Sequence, residues 1–161
     1  MTSTAPDPAA LLRDLLHISQ TAALATLHQG DPAVSMVPFV LDAADGTLLI
    51  HVSALATHTA DMQAHPAVSL LVVADASPDV PPQARPRAAI SGRARFIARD
   101  SAEHAAAGAI YRARFPSAAM MFELADFSLV RIEPRAARVI GGFAQAASLA
   151  GERLQQALRT P

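Results

Sequence analysis

The chain has 161 residues, a formal net charge of −1 and no cysteine, and all thirteen basic residues are arginine. A length of this order fits a single domain that buries roughly two thirds of the surface its unfolded chain exposes. Balanced charge gives no long-range attraction to nucleic acid or anionic lipid; the lack of cysteine excludes disulfides, thiolate nucleophiles, cysteine zinc sites and iron–sulfur clusters, and the lack of lysine excludes an internal aldimine.

Hydrophobic residues make up 52% of the chain but aromatic ones only 4%, so the expected core is Leu, Val, Ile and Ala with six Phe as larger fillers. No apolar run approaches the ~20 residues of a membrane span. The opening MTSTAPDPAA has neither a basic nor an apolar leader region. The expectation is a cytoplasmic protein with no membrane or nucleic-acid partner.

In chain order, Asp7-Pro8 reads as an N-cap with proline at the first helical position, and Leu11, Leu12, Leu15 and Leu16 at helical spacing predict a helix over Pro8–Ser19. Three strands follow, at Thr21–His28, Ala33–Leu41 and Thr47–Ser53, separated by Gly/Asp/Pro turns that suit an antiparallel meander. Leu55–Ala64 reads as a short helix stopped by Pro66, and Val68–Val73 as an apolar strand. Asp75–Ala84 is a Pro- and Asp-rich loop. Arg85–Ala98 alternates clearly and predicts a strand with its arginines on one face, with Gly92 a candidate bulge that switches faces midway. Asp100–Arg114 reads as a helix capped by Asp100 or Ser101. Asp126–Glu133 and Ala136–Phe143 read as a last hairpin around Glu-Pro-Arg, and Ser148–Arg159 as a terminal helix.

This order of short strands and few helices predicts a mainly β protein with flanking helices, a six- to seven-stranded antiparallel barrel rather than a doubly wound sheet. The parts are an N-terminal helix in 1–20, the barrel in 21–146 and a helical tail in 147–161.

The chemistry concentrates in HVSALATHTADMQAHP, His51 to Pro66. Ser53, Thr57, His58 and Thr59 fall where a strand gives way to a helix start. Such hydroxyls serve as helix caps, and they also suit an anion. Arg85 and Arg87 could supply guanidinium forks to the same phosphate. His51, His58 and His65 are spaced seven by seven, but no H-x-x-x-H or H-E-x-x-H pattern occurs, so no metal site is expected. No residue stands out as a general acid or base, and no catalytic residue is assigned.

LATLHQGDPAVSMVPFV (24–40), HVSALATHTADMQAHPAVSLLVV (51–73), RPRAAISGRARFIARDS (85–101), ADFSLVRIEP (125–134) and VIGGFAQA (139–146) occur in that order. The set resembles the FMN-binding split β-barrels related to pyridoxamine 5'-phosphate oxidase, and within them the heme-utilisation branch. The resemblance implies a homodimer with FMN at the subunit interface. It implies that the flavin phosphate lies near Ser53, Thr57, His58, Thr59, Arg85 and Arg87, with backbone groups of Ser35, Met36 and Val37 along the ring and Gly141, Gly142 and Phe143 on the far side. The implied function is a small flavin-dependent oxidoreductase acting on a small-molecule substrate or electron donor. Heme is the alternative ligand, in a heme-utilisation protein of the same fold, and a non-catalytic binding module is a third reading. The histidine with which heme-degrading relatives ligate iron in a C-terminal extension has no counterpart, since none follows His104.

Overall fold

The computed structural model describes residues 7–160; residues 1–6, which carry most of the stretch read as lacking a leader, and residue 161 lie outside that range. The first helix, α1, runs Pro8–Ile18, its N-terminus closed by the Asp7 carboxylate accepting from Ala9 N and Ala10 N, and it buries Leu12, Leu15 and Leu16. Strands β1 (Thr21–His28) and β2 (Asp31–Pro38) pair along their whole length around Gln29 and Gly30, both at positive φ as a tight primed turn requires. The single strand expected over Ala33–Leu41 is divided: β2 ends at Pro38, Phe39 turns fully into the core, and β3 (Val40–Asp42) pairs instead with β4 (Thr47–Ser53).

Helix α2 (Thr57–Ala64) leads to β5 (Ala67–Val73), a short 3₁₀ turn at Pro82–Ala84 and β6 (Arg87–Phe96). Helix α3 (Ala102–Arg114), capped by Ser101 Oγ accepting from His104 N, and the four-residue α4 (Ala119–Phe122) precede β7 (Phe127–Gly142), β8 (Gln145–Ala150) and α5 (Gly151–Arg159). All eight strands form one antiparallel sheet in the order β2-β1-β5-β6-β7-β4-β3, with β8 on the remaining edge of β7. This is the expected split barrel with flanking helices, with eight strands among the described residues where six to seven were expected. Among the described residues no helix is long and apolar enough to cross a membrane.

Two expectations are corrected here. The hairpin around Glu-Pro-Arg does not exist: residues 127–142 form one strand of sixteen residues. On its non-β6 side, β4 pairs with 127–132 and β8 with 136–142, so Pro134 falls in the gap between two partners and its missing N–H leaves no ladder bond unmade. The hairpin turn comes later, at Phe143–Ala144, and β8 runs on through Ser148–Ala150, residues predicted as the start of the terminal helix. The bulge also lies on the opposite strand from the one expected. Gly92 pairs Pro134 and Ser91 pairs Ala136, which leaves Arg135 as the extra residue, while β6 alternates in and out through Gly92 without a switch of face.

The main core lies between one face of the sheet and α1 with α5, built on Leu12, Leu24, Phe39, Leu70, Ile90, Ile132 and Leu158. A second, smaller cluster of Leu49, Ile97, Ala107, Tyr111 and Leu129 joins α3 to β4 and β7.

Candidate functional site

Strand β4 ends at Ser53, and the chain turns at once into α2. Ser53 Oγ donates to Asp126 Oδ2 at 2.9 Å and accepts from Leu55 N at 3.1 Å. Ala54 N donates to the Asp126 carbonyl at 2.7 Å, tying this turn to the start of β7. Thr59 Oγ1 donates to Ser53 O at 2.7 Å, and Thr59 is buried. The hydroxyl protons of Ser53 and Thr59 are therefore committed to the turn itself. Thr57 and His58 open the first turn of α2. No side chain caps that helix, unlike α1 and α3, and no acid sits in its first turn, so its leading N–H groups and positive dipole end suit an anionic oxygen.

His58 Nδ1 lies 3.1 Å from Ser35 Oγ, which brings the β2 residues into the same neighbourhood. Burial lowers the His58 pKa, opposed by the charge of Asp61 one turn along. Ser35, Met36 and Val37 do not share a face: Val37 is in the core, Ser35 meets His58, and Met36 points to the other side of the sheet with 66% of its surface exposed. What the three have in common is an edge position, since β2 pairs only with β1 and its outer row of backbone groups has no strand partner among the described residues.

Arg85 and Arg87 are elsewhere. Arg87 pairs with Val73 and Ile140, and its Nη1 donates to Gln83 O at 3.1 Å and Arg85 O at 3.0 Å. Arg85 Nη2 donates to Ala74 O, and its Nε is buried without a partner. Ser53 faces Phe127 on β7, thirteen positions from Ile140, roughly 40 Å of extended strand. The expectation that both segments grip one phosphate is thus not met within one protomer: sheet register puts them at opposite ends of β7, and the arginines anchor the loop after β5. Arg99 stands at the Phe127 end of β7, where its guanidinium donates to Leu124 O. Gly141, Gly142 and Phe143 form the β7–β8 tip at the arginine end.

Three further residues lie beneath α2. Asp61 is buried, accepts from Thr26 Oγ1 at 2.9 Å and lies 2.8 Å from His28 Nδ1. Its carboxyl is held below the usual range, chiefly by the His28 hydrogen bond. No local pattern marks this trio, because it forms only when α2 packs on β1. His51 belongs to a different environment, stacked on Phe122 in the cluster under α3. No group of three or more His, Asp or Glu able to hold a metal ion occurs among the described residues.

The uncapped α2 start with Thr57 and His58, beside an edge strand, offers backbone N–H groups suited to an anionic oxygen. Comparison with known proteins narrows the setting. The pyridoxamine 5'-phosphate oxidase family profile matches residues 9–141. The chloroplastic heme oxygenase HOZ of Arabidopsis thaliana is 35% identical over 148 residues, 90% of this chain but only 44% of that protein, so the chain spans less than half of that relative. The heme oxygenase HutZ of Vibrio cholerae is 31% identical over 137 residues, 84% of this chain and 77% of that protein. A heme binding protein from Mycobacterium smegmatis superposes with a TM-score of 0.84 at 28% identity, over 95% of this chain and 62% of the other. With both the ordered sequence match and the sheet topology in agreement, this chain belongs to the pyridoxamine 5'-phosphate oxidase family of split barrels, in its HutZ branch.

Proposed function

We propose that the protein handles heme, as a homodimer that takes the porphyrin against the α2 and β2 side of the sheet. The observation that carries this reading is the match of 90% and 84% of the chain to two proteins named as heme oxygenases. The geometry supports it in two ways. The free N–H groups at the start of α2, with Thr57 and His58, suit a carboxylate of the porphyrin edge as well as they suit a phosphate. The outer face of β1, β2 and β5 presents Val34, Met36 and Leu71 around Ala23 and Ala25, an apolar surface that suits a second copy of the chain. Bound heme supplies a redox-active iron, with electrons from a small-molecule or protein donor outside the chain.

The FMN reading, in which the protein is a small flavin oxidoreductase, is favoured by the same uncapped helix start and by the family's name. It needs a second copy of the chain to bring arginines to the phosphate, because Arg85 and Arg87 of the same protomer sit at the far end of β7.

Parallel titrations of the purified protein with hemin and with FMN separate the two. The expected result is a sharpened, shifted Soret band with hemin and unquenched flavin fluorescence with FMN. Quenching of FMN with no change in the hemin spectrum would reverse the assignment.

A further inference from the structure

Six histidines are available to a heme-handling protein of this sequence, and the structure distinguishes one of them. Asp61 projects from α2 toward β1, where Oδ2 accepts from Thr26 Oγ1 and Oδ1 lies 2.8 Å from His28 Nδ1. An ionised carboxylate can only accept, so the hydrogen of neutral His28 is on Nδ1 and the lone pair is on Nε2. Nε2 makes no hydrogen bond among the described residues, on a side chain that is 45% exposed at the last position of β1. A fixed tautomer, a carboxylate behind the ring and a hydroxyl behind the carboxylate is the arrangement that orients a metal-ligating imidazole and raises its basicity.

The other histidines lack it. His51 is enclosed by Phe122, Phe127 and Tyr111. His58 meets a hydroxyl, Ser35 Oγ, rather than a carboxylate. Among the described residues, the side chains of His17, His65 and His104 make no hydrogen bond or ion pair that would orient them. Nor does His28 belong to a cluster of three or more ligating residues able to hold a bare ion. A lone, oriented imidazole suits a metal already held by four other nitrogens, as iron is in a porphyrin, which asks the protein for a single axial bond.

We propose that His28 is the axial iron ligand of heme in this protein, with Asp61 and Thr26 as the residues that position it. The inference rests on the heme reading above. Nε2 donates its lone pair to the iron while Nδ1–H stays on Asp61, so no proton has to leave the ring when the bond forms.

The test is resonance Raman spectroscopy and hemin titration of the full chain. Ferrous heme in the wild type shows an iron–imidazole stretching band. His28→Ala abolishes that band and weakens hemin binding at least about tenfold, and added free imidazole restores the lost ligand. His28→Gln, which keeps a hydrogen-bonding group toward Asp61, gives the same loss with an unchanged far-ultraviolet circular dichroism spectrum. Asp61→Asn keeps the band at lower frequency and costs roughly ten- to a hundredfold in affinity, whereas His17→Ala and His65→Ala change neither. An iron–imidazole band that persists in His28→Ala, or wild-type heme without such a band, overturns the assignment of His28 and leaves the heme reading standing. Failure of the wild type to bind hemin overturns both.

Discussion

Arg131 Nη1 stands 2.9 Å from Asp42 Oδ2 with both side chains buried, on the side of the sheet that α3 covers. The same guanidinium donates to Thr47 Oγ1 at 2.5 Å and, through Nε, to Glu103 Oε1 at 2.8 Å. One arginine thereby joins β7, the β3–β4 hairpin and α3. Removing it leaves a buried carboxylate with no counter-charge, which typically costs about 3–5 kcal/mol, whereas replacing both charges with apolar groups costs far less. Arg131→Ala is therefore expected to lower the urea midpoint sharply, and Arg131→Met combined with Asp42→Leu to recover much of the loss. Equal destabilisation in the single and double variants would mean that packing volume, not the unpaired charge, sets the cost.

Glu103 gives this network its pH dependence. The hydrogen bond from Arg95 first, and that from Arg131 next, lower its carboxyl from 4.5 to about 2, with burial working the other way. A depressed folded-state value means the contribution is present above pH 4.5 and is lost as pH falls from there toward 2. Urea unfolding followed across that window should show stability falling with acid, with a shallower slope in Glu103→Gln. An identical slope in the variant would assign the acid lability to other carboxylates.

The same comparison of sequence and structure shows what a one-dimensional reading reaches. Asp7-Pro8 and the leucine spacing give α1 within one residue, and the Gly/Asp/Pro signal after His28 marks the end of β1, because both signals are local. Pro134 misleads for the opposite reason. Its meaning depends on β4 and β8 both stopping short of it, a fact of tertiary pairing that its neighbours do not encode. The site divides the same way. Ser53, Thr57, His58 and Thr59 group together at the β4–α2 junction, as their contiguity at a strand-to-helix boundary implies. Within one protomer the sheet register sets Arg87 at the other end of β7 from Ser53, a relation that no local pattern encodes, and Asp61 is missed because its partner His28 lies 33 residues away.

Gly92 is required by approach rather than by turn geometry. A Cβ there would lie 2.6 Å from the Glu133 carbonyl oxygen and 3.2 Å from Ile132 Cγ2, and the oxygen is backbone held in the β6–β7 ladder. Gly92→Ala should cost about 1–3 kcal/mol through displacement of strands beside the bulge. Gly30→Ala provides the contrast, since open space surrounds it and its cost comes from its positive φ alone. A Gly92→Ala protein as stable as wild type would show that β7 can slide at Arg135.

Val34 and Met36, 72% and 66% exposed, face away from the core on the edge strand, and Ala23, Ala25 and Leu71 continue the same apolar face across β1 and β5. Small residues between larger ones make a surface on which a second copy can pack closely. Met36→Lys or Val34→Glu, each placing a charge on this face, should convert the proposed homodimer to monomer in light scattering without changing the circular dichroism spectrum. A wild-type monomer at micromolar concentration, or a dimer untouched by both substitutions, would place the contact elsewhere or remove it.

His51 supplies a prediction at mild acidity. Its ring stacks on Phe122 at 4.1 Å with planes 17° apart, Phe127 and Tyr111 close two more sides, and its Nδ1 is buried without a partner. Burial first, then the positive surroundings of His104, Arg99 and Arg112, lower its pKa from 6.5 to about 4. The folded state accepts the proton less readily than the unfolded chain. Its neutral ring is thus compatible with full stability above pH 6.5, and stability is lost as pH falls from 6.5 toward 4, by up to roughly 3 kcal/mol. His51→Phe keeps an aromatic ring in the stack and removes the titrating group, so its stability should stay flat over that interval while the wild type declines. In proton NMR the His51 ring signals should hold their positions through pH 6.5, where solvent-exposed imidazoles move. A His51 signal that titrates near 6.5 would mean that α4 and Phe122 open readily and expose the ring to water.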